Sequence, residues 1–296
     1  MPHTPGRAVP YARMKPITRQ SSLGLLSLLA ACASTQSADA DGSMSVQPGY
    51  ELVLTSDVQW DQLNPARGDQ SPRAGTLWGD RNGLEATGFL FNPVDGFESP
   101  PHIHNVTYRG VVISGLVHND DPTAGPMWMP ARSFWTQPKG RVHITSAKGP
   151  DTVAYIEIDQ GPYLVMPPEE KFEPVAEPIN IHDTNLVWVA PPSPKAPKGV
   201  LVAYLWEHRG SRKMGGTLVK LPAGVAASLH GHGPTLRAVV IQGEPHYSAQ
   251  DQRGRVTLTP GTYFSSTGAA VHHLANESDG DMIVYVRTPG AVDLRH

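Results

Sequence analysis

The chain repeats itself at an offset of 128 residues, and this limits its fold more than any other feature. His102-Ile103-His104 has its counterpart in His230-Gly231-His232. Trp78 precedes the first pair by 24 residues, and Trp206 precedes the second by 24. Gly115 and Gly243 each follow their pair by 11. The run RGVVISGLVH (109–118) matches RAVVIQGEPH (237–246) down to the closing histidine. Downstream, RSFWTQPKGRVH ends at His143 and GTYFSSTGAAVH ends at His272, 39 and 40 residues after the second histidine of each pair. Agreement at this many anchors implies a tandem duplication, with units over 49–170 and 171–296. The Pro- and Glu-rich join, VMPPEEKFEPVAEPIN, reads as a linker or an extended crossing strand.

Within each unit the pattern is that of strands. GYELVLTS, VVISGLVH, TVAYIEID, GVLVAYLW, RAVVIQG and MIVYVRT are short β-branched and aromatic runs broken by Gly, Pro, Asn and Asp. No window carries a helical period. With 29 Gly and 29 Pro in 296 residues, tight turns are plentiful. An all-β chain of two sandwich- or barrel-like units is expected. Apolar residues make up 39% of the chain, too few for an integral membrane bundle. The formal charge of −3 comes from 24 basic and 27 acidic side chains with no basic patch, so nucleic acid is not an expected partner.

The N-terminal region has a separate logic. LGLLSLLAAC (23–32) is an apolar run too short to span a bilayer, with Lys15 and Arg19 upstream and Leu29-Ala30-Ala31-Cys32 at its end. It resembles a bacterial lipoprotein signal, which implies cleavage before Cys32 and lipid attachment to its sulfur. The alternative is a short buried helix with a core cysteine. Translation from Met14 would give a signal of ordinary length, whereas the stretch from Met1 contains three prolines. Residues 33–48 are small and polar, as in a flexible tether. Cys32 is the sole cysteine, so no intrachain disulfide exists. The expectation is a periplasm-facing envelope lipoprotein. Ala33 stands where an inner-membrane retention signal would have Asp, which favours the outer membrane.

The two histidine pairs sit in a longer pattern. Gly96, His102, His104 and Gly115 are spaced as in the first motif of the cupin superfamily, as are Gly224, His230, His232 and Gly243. Its second motif is met in part by Pro138, Gly140 and His143, with Arg132 and Ala147 replacing its first Gly and its Asn. In the second unit Gly261, His272 and Asn276 fit, with Thr267 and Ala269 in place of Pro and Gly. The chain therefore resembles a bicupin, most closely an uncharacterised bacterial two-cupin family, which implies two jelly-roll β-barrels in tandem. The usual carboxylate ligand is missing from both units: Tyr108 and Leu236 occupy its place. Some cupins, the acetylacetone-cleaving dioxygenase among them, resemble this three-histidine arrangement.

Strand geometry supports a metal independently. Residues two apart face the same side, so His102 and His104 project together, as do His230 and His232. His143 and His272, from neighbouring strands, can each complete a set of three imidazoles. Such a set suits a divalent transition metal (Fe, Zn, Mn, Ni or Cu) and leaves positions open. With no carboxylate ligand the ion keeps its full charge and favours an anionic ligand such as an enolate, carboxylate or phenolate. Tyr108, a neutral phenol, is a candidate catalytic residue beside the ion, donating a hydrogen bond to that ligand or to bound oxygen. Whether one unit or both bind metal is open: the second site is either a vestige or, given Asn276, the working one.

Other repeated residues have plainer readings. His118 and His246 either face the interior as acid–base groups or are hydrogen-bonded strand histidines. Trp78 and Trp206 read as core anchors. Alternation turns Arg109 and Arg237 away from Tyr108 and Leu236, hence toward solvent. Asn105-Val-Thr107 and Asn276-Glu-Ser278 match the glycosylation pattern, for which a bacterial lipoprotein gives little reason. The leading function is a metal-dependent oxygenase on a small oxygenated organic molecule, with Lewis-acid isomerase or lyase chemistry as its non-redox form. The alternative is a non-catalytic envelope protein that binds a metal, sugar or small ligand. A homo-oligomer is compatible with either.

Overall fold

A computed structural model describes residues 49–174, 176–207, 213–250 and 254–296. The segment 1–32 expected to be a signal, with Cys32 and both candidate start methionines, and the expected tether 33–48 lie outside the described residues. Among the described residues no helix is long and apolar enough to cross a membrane.

The chain is built from antiparallel sheets. In the first barrel the strands Tyr108–Asp120 and Ile144–Ile158 form the spine of a seven-stranded sheet. On one side of them lie Phe134–Gln137 and Ile179–Ile181; on the other lie Thr87–Asn92, Arg73–Trp78 and Trp60–Gln62. The register of the spine shifts between Val112 and Leu116, around Gly115 at φ 70°. Such an irregularity bends a pair of strands, and glycine takes that left-handed backbone without strain. Past the bend the two strands pair again, from Leu116↔Lys148 to Asp120↔Ile144. The bridges Glu98↔Ser146 and His102↔His143 then continue the second wall.

The second barrel repeats this plan with two sheets. One has six strands: Gly49–Val53, Tyr263–Thr267, Leu236–Gln242, Met282–Pro289, Met214–Leu221 and Leu201–Trp206. The other has five: Val256–Thr257, His246–Ala249, Ala270–Ala275, Ala226–Gly231 and Asp293–Arg295. The two barrels exchange strands. Gly49–Val53, at the start of the first repeat, pairs with Tyr263–Thr267 of the second barrel. Ile179–Ile181, beyond the join, pairs with Phe134–Gln137 of the first.

The continuous apolar runs 111–113 and 239–241 have a simple cause: both faces of these strands are buried. Val112 points into the first barrel, among Phe89, Trp135 and Ile156. Val240 points into the second, among Tyr247, Phe264 and Leu274. Val111, Ile113, Val239 and Ile241 face a third core that contains side chains from both barrels, including Leu77, Leu90, Leu205 and Leu218.

This third core corrects the reading of Arg109 and Arg237. They do turn away from the barrel interiors, but the next layer is the other barrel, not water. The Arg109 guanidinium lies 3.8 Å from the Trp206 ring centroid, and that of Arg237 lies 4.1 Å from Trp78. Each repeat thus places its arginine on the other repeat's tryptophan, a cation–π contact in both directions. The tryptophans are anchors, as expected, but of the interface. Trp78 donates to the Tyr155 hydroxyl at 3.1 Å, and Trp206 donates to that of Tyr285 at 2.9 Å. Both hydroxyls donate onward to the buried Glu157 carboxylate, at 3.0 and 2.7 Å.

Candidate metal centre

His102, His104 and His143 converge in the first barrel, one nitrogen from each lying within 4.8 Å of the others. All three are buried. His102 is held opposite His143 by the two backbone hydrogen bonds of their bridge, both 3.0 Å. His104 lies on Ile103–His104, which pairs with Val165–Met166. A strap over residues 161–166 fixes this edge. Asn105 donates to the Pro162 carbonyl at 3.0 Å and accepts from the Leu164 amide at 3.0 Å. Asn105 is therefore occupied as a structural clasp, not presented as a glycosylation site.

Hydrogen bonding sets the tautomers. His104 Nδ1 lies 2.8 Å from the Leu164 carbonyl, His102 Nδ1 2.9 Å from that of Pro100, and His143 Nδ1 3.3 Å from that of Arg141. A carbonyl only accepts, so each Nδ1 carries the proton and donates it. Burial lowers all three histidine pKa values, most strongly for His104 and His143, so the rings are neutral. Each Nε2 is then unprotonated and carries a lone pair. Imidazoles oriented by a backbone acceptor on the far nitrogen are the form that binds a metal. The trio fits a first-row divalent ion, and among the described residues no carboxylate joins the group.

Tyr108 stands beside the trio, as the spacing predicts, with its oxygen 3.3 Å from His143 Nε2. Its proton, however, points elsewhere. The Arg141 carbonyl accepts from Gln137 Nε2 at 3.2 Å, which turns Gln137 Oε1 toward Asn119. Asn119 Nδ2 donates to that oxygen at 3.0 Å, which leaves Asn119 Oδ1 to accept from the Tyr108 hydroxyl at 2.7 Å and from Thr145 at 2.8 Å. A backbone carbonyl thus fixes the direction of the whole chain. Tyr108 offers the site oxygen lone pairs, not the proton expected of it. Burial raises its pKa, so it stays a neutral phenol. Asn119 and Gln137, both buried, were not anticipated. Asn119 lies in the strand of Tyr108, eleven residues along and in the same polar network.

Tyr163 was also missed. It stacks on His104 with ring centroids 4.5 Å apart and its hydroxyl 3.3 Å from His104 Nε2. It belongs to no motif. Only the strap brings it to the site, and the sequence signal was no more than a tyrosine in a polar turn.

The second trio is not brought together among the described residues. His272 lies opposite Leu229, and His230 lies opposite Val271. Opposed residues share a face, so His272 points inward with Leu229 while His230 and His232 lie on the other face. His272 spends both nitrogens on neighbours, Tyr247 at 3.0 Å and Ser266 at 2.8 Å. His232 pairs with Asp293 at 2.6 Å, at the surface. The one-residue difference in spacing, 39 against 40, carried this slip of register. Asn276 anchors a turn through the Leu221 and Gly280 carbonyls at 2.9 and 2.8 Å. His118 lies beside Trp128 with its Nδ1 3.4 Å from the Met127 carbonyl, and His246 pairs with Glu277 at 3.2 Å. Neither joins the trio.

Comparison with known proteins agrees with this architecture. Residues 51–295 match the domain of unknown function DUF4437. The chain belongs to the DUF4437 family. None of the curated protein sequences matches this DUF4437 chain. Among solved structures it is similar to a candidate dioxygenase of Nostoc punctiforme, with a TM-score of 0.62 and 14% identity over 84% of this chain and 86% of that one. It is also similar to the oxalate decarboxylase of Lactobacillus farciminis in its formate complex, with a TM-score of 0.55 and 12% identity over 86% and 89%. Hazelnut (Corylus avellana) vicilin matches with a TM-score of 0.54 and 10% identity over 81% and 85%. At these identities the likeness establishes the fold: this DUF4437 protein is two cupin jelly-roll barrels in tandem.

Proposed function

We propose that the first barrel holds one first-row divalent ion on His102, His104 and His143, and that the protein is a metal-dependent enzyme of the dioxygenase type acting on a small oxygenated organic molecule. The observation that supports this is the tautomer set: three buried imidazoles, each tied through Nδ1 to a backbone carbonyl, each with an unprotonated Nε2. Bound there, the ion would supply Lewis acidity and, if it is iron, redox chemistry. The chain's own part is to orient the three nitrogens and to keep them neutral, in the barrel whose apolar core includes Phe89, Val106, Trp135 and Ile156. The resemblance to a candidate dioxygenase and to an oxalate decarboxylase is in keeping with a small anionic substrate.

A second reading, a non-catalytic binder of a metal or small ligand, is favoured by the absence of a carboxylate from the trio among the described residues. Metal analysis separates the two. The protein from residue 33 onward, purified without a histidine tag, is expected to carry one ion per chain, lost in His104→Ala and retained in His272→Ala. Iron with oxygen uptake supports the enzyme; tight, redox-silent zinc supports the binder. No ion after reconstitution with each first-row divalent metal refutes the enzyme and the metal binder and leaves a metal-free ligand binder. We further propose that Cys32 anchors the protein by lipid to the periplasmic side of the envelope, outer membrane preferred. The mass of the mature N-terminus tests this.

A further inference from the structure

Two tyrosine hydroxyls approach the trio, and they differ in where their single proton goes. Tyr108 gives its proton to Asn119, at 2.7 Å. Among the described residues the Tyr163 hydroxyl has one hydrogen-bond contact, His104 Nε2 at 3.3 Å. Because His104 Nδ1 donates to the Leu164 carbonyl, Nε2 is an acceptor, and Tyr163 must be the donor in that contact. An ion on Nε2 would take the lone pair that Tyr163 now addresses. The Tyr163 proton would then be free to meet a further ligand of the ion.

We infer that Tyr163 is the hydrogen-bond donor to an anionic ligand bound beside the trio, with Tyr108 its acceptor counterpart, so that the site selects a ligand that presents a bare anionic oxygen to Tyr163 and a protonated oxygen to Tyr108. This rests on the proposed metal site. The ligand class that meets both demands is a small hydroxy- or enol-carboxylate, or a carboxylate bound together with water. The strap explains why the donor is placed so well. The Tyr163 amide bonds to the Arg81 carbonyl at 3.0 Å, the neighbouring Leu164 carbonyl orients His104, and Phe89 meets the Tyr163 ring edge-on at 5.4 Å. One short segment therefore sets both a metal-binding nitrogen and the hydroxyl beside it.

The test uses cobalt(II) as the metal and azide as the anionic probe, followed by visible absorption. Tyr163→Phe keeps the ring, its stacking on His104 and its edge contact with Phe89. The expected result is cobalt binding within about twofold of wild type and azide binding weakened about tenfold, the loss of one hydrogen bond to a charged acceptor. Unchanged azide affinity in a cobalt-loaded Tyr163→Phe overturns the assignment of Tyr163 and leaves the metal site standing. Loss of cobalt from Tyr163→Phe also overturns it, because the hydroxyl would then be needed to hold the metal site itself rather than a further ligand. Failure of the wild type to bind cobalt overturns the metal reading and this inference together.

Discussion

Glu157 and Arg287 occupy equivalent places in the two repeats, each two residues after an interface tyrosine, and they meet as a buried ion pair at 3.0 Å. Arg287 also reaches Asp159 at 2.8 Å, and Asp159 in turn accepts from Arg109 at 2.8 Å. Two identical barrels would set like against like at such a pair. Here the duplicated halves have diverged to opposite charges, and the interface fits only one half against the other.

Removing Arg287 leaves the buried Glu157 with the more distant Arg109, at 4.0 Å, as its counter-charge. Arg287→Met is expected to destabilise the protein by roughly 3–5 kcal/mol in urea unfolding. Adding Glu157→Met should recover a large part of that loss, because a well-packed apolar pair can replace a buried ion pair. A double variant no more stable than Arg287→Met would count against the pair as the central contact.

The network behind Tyr108 gives a second expectation. Asn119→Ala leaves the hydroxyls of Tyr108 and Thr145 and the Gln137 carbonyl oxygen without their partner. A cost of about 2–3 kcal/mol is expected. It is to be read from denaturant midpoints in metal-free protein.

His272 predicts a pH dependence. Burial lowers its pKa from 6.5 to about 4 in the folded protein. The unfolded chain therefore binds a proton that the folded one refuses, and stability falls as pH drops from 6.5 toward 4. A shift of that size corresponds to roughly 3 kcal/mol. Comparing urea unfolding at pH 7 and pH 4.5, metal-free His272→Gln should lose clearly less stability than wild type. Equal losses would show that His272 is not a source of the effect.

The strand exchange predicts that the second repeat does not fold by itself. A fragment of residues 182–296 lacks Gly49–Val53, and with it Tyr50, whose ring meets His272 at 5.4 Å. The fragment should show little fixed tertiary structure by near-ultraviolet circular dichroism, and a peptide spanning 49–58 should restore part of it.

The first site and the fold could be read largely from sequence because both follow from local rules: repeat spacing, strand periodicity and the same-face geometry of His102 and His104. What was hidden depends on tertiary placement. Alternation turned Arg109 outward correctly, but only the packing of the two barrels shows that outward means Trp206. The proton of Tyr108 is set by a carbonyl three hydrogen bonds away. Tyr163 arrives on a strap with no motif. The separation of His272 from His230 was written in the chain as one extra residue, whose effect follows only once strand register is considered.

The exchange of Gly49–Val53 also orders events in time. Glu51 and Ser265 face each other in the finished sheet but lie 214 residues apart. At ~5–20 residues per second, a ribosome needs on the order of 10–40 s to cover that distance. Throughout that interval the first strand of the fold has no partner to pair with. The second barrel cannot close during synthesis of its own first strands; it must wait for a segment made near the end of the chain. The first barrel, whose seven-stranded sheet runs from Trp60–Gln62 to Ile179–Ile181, has no such wait.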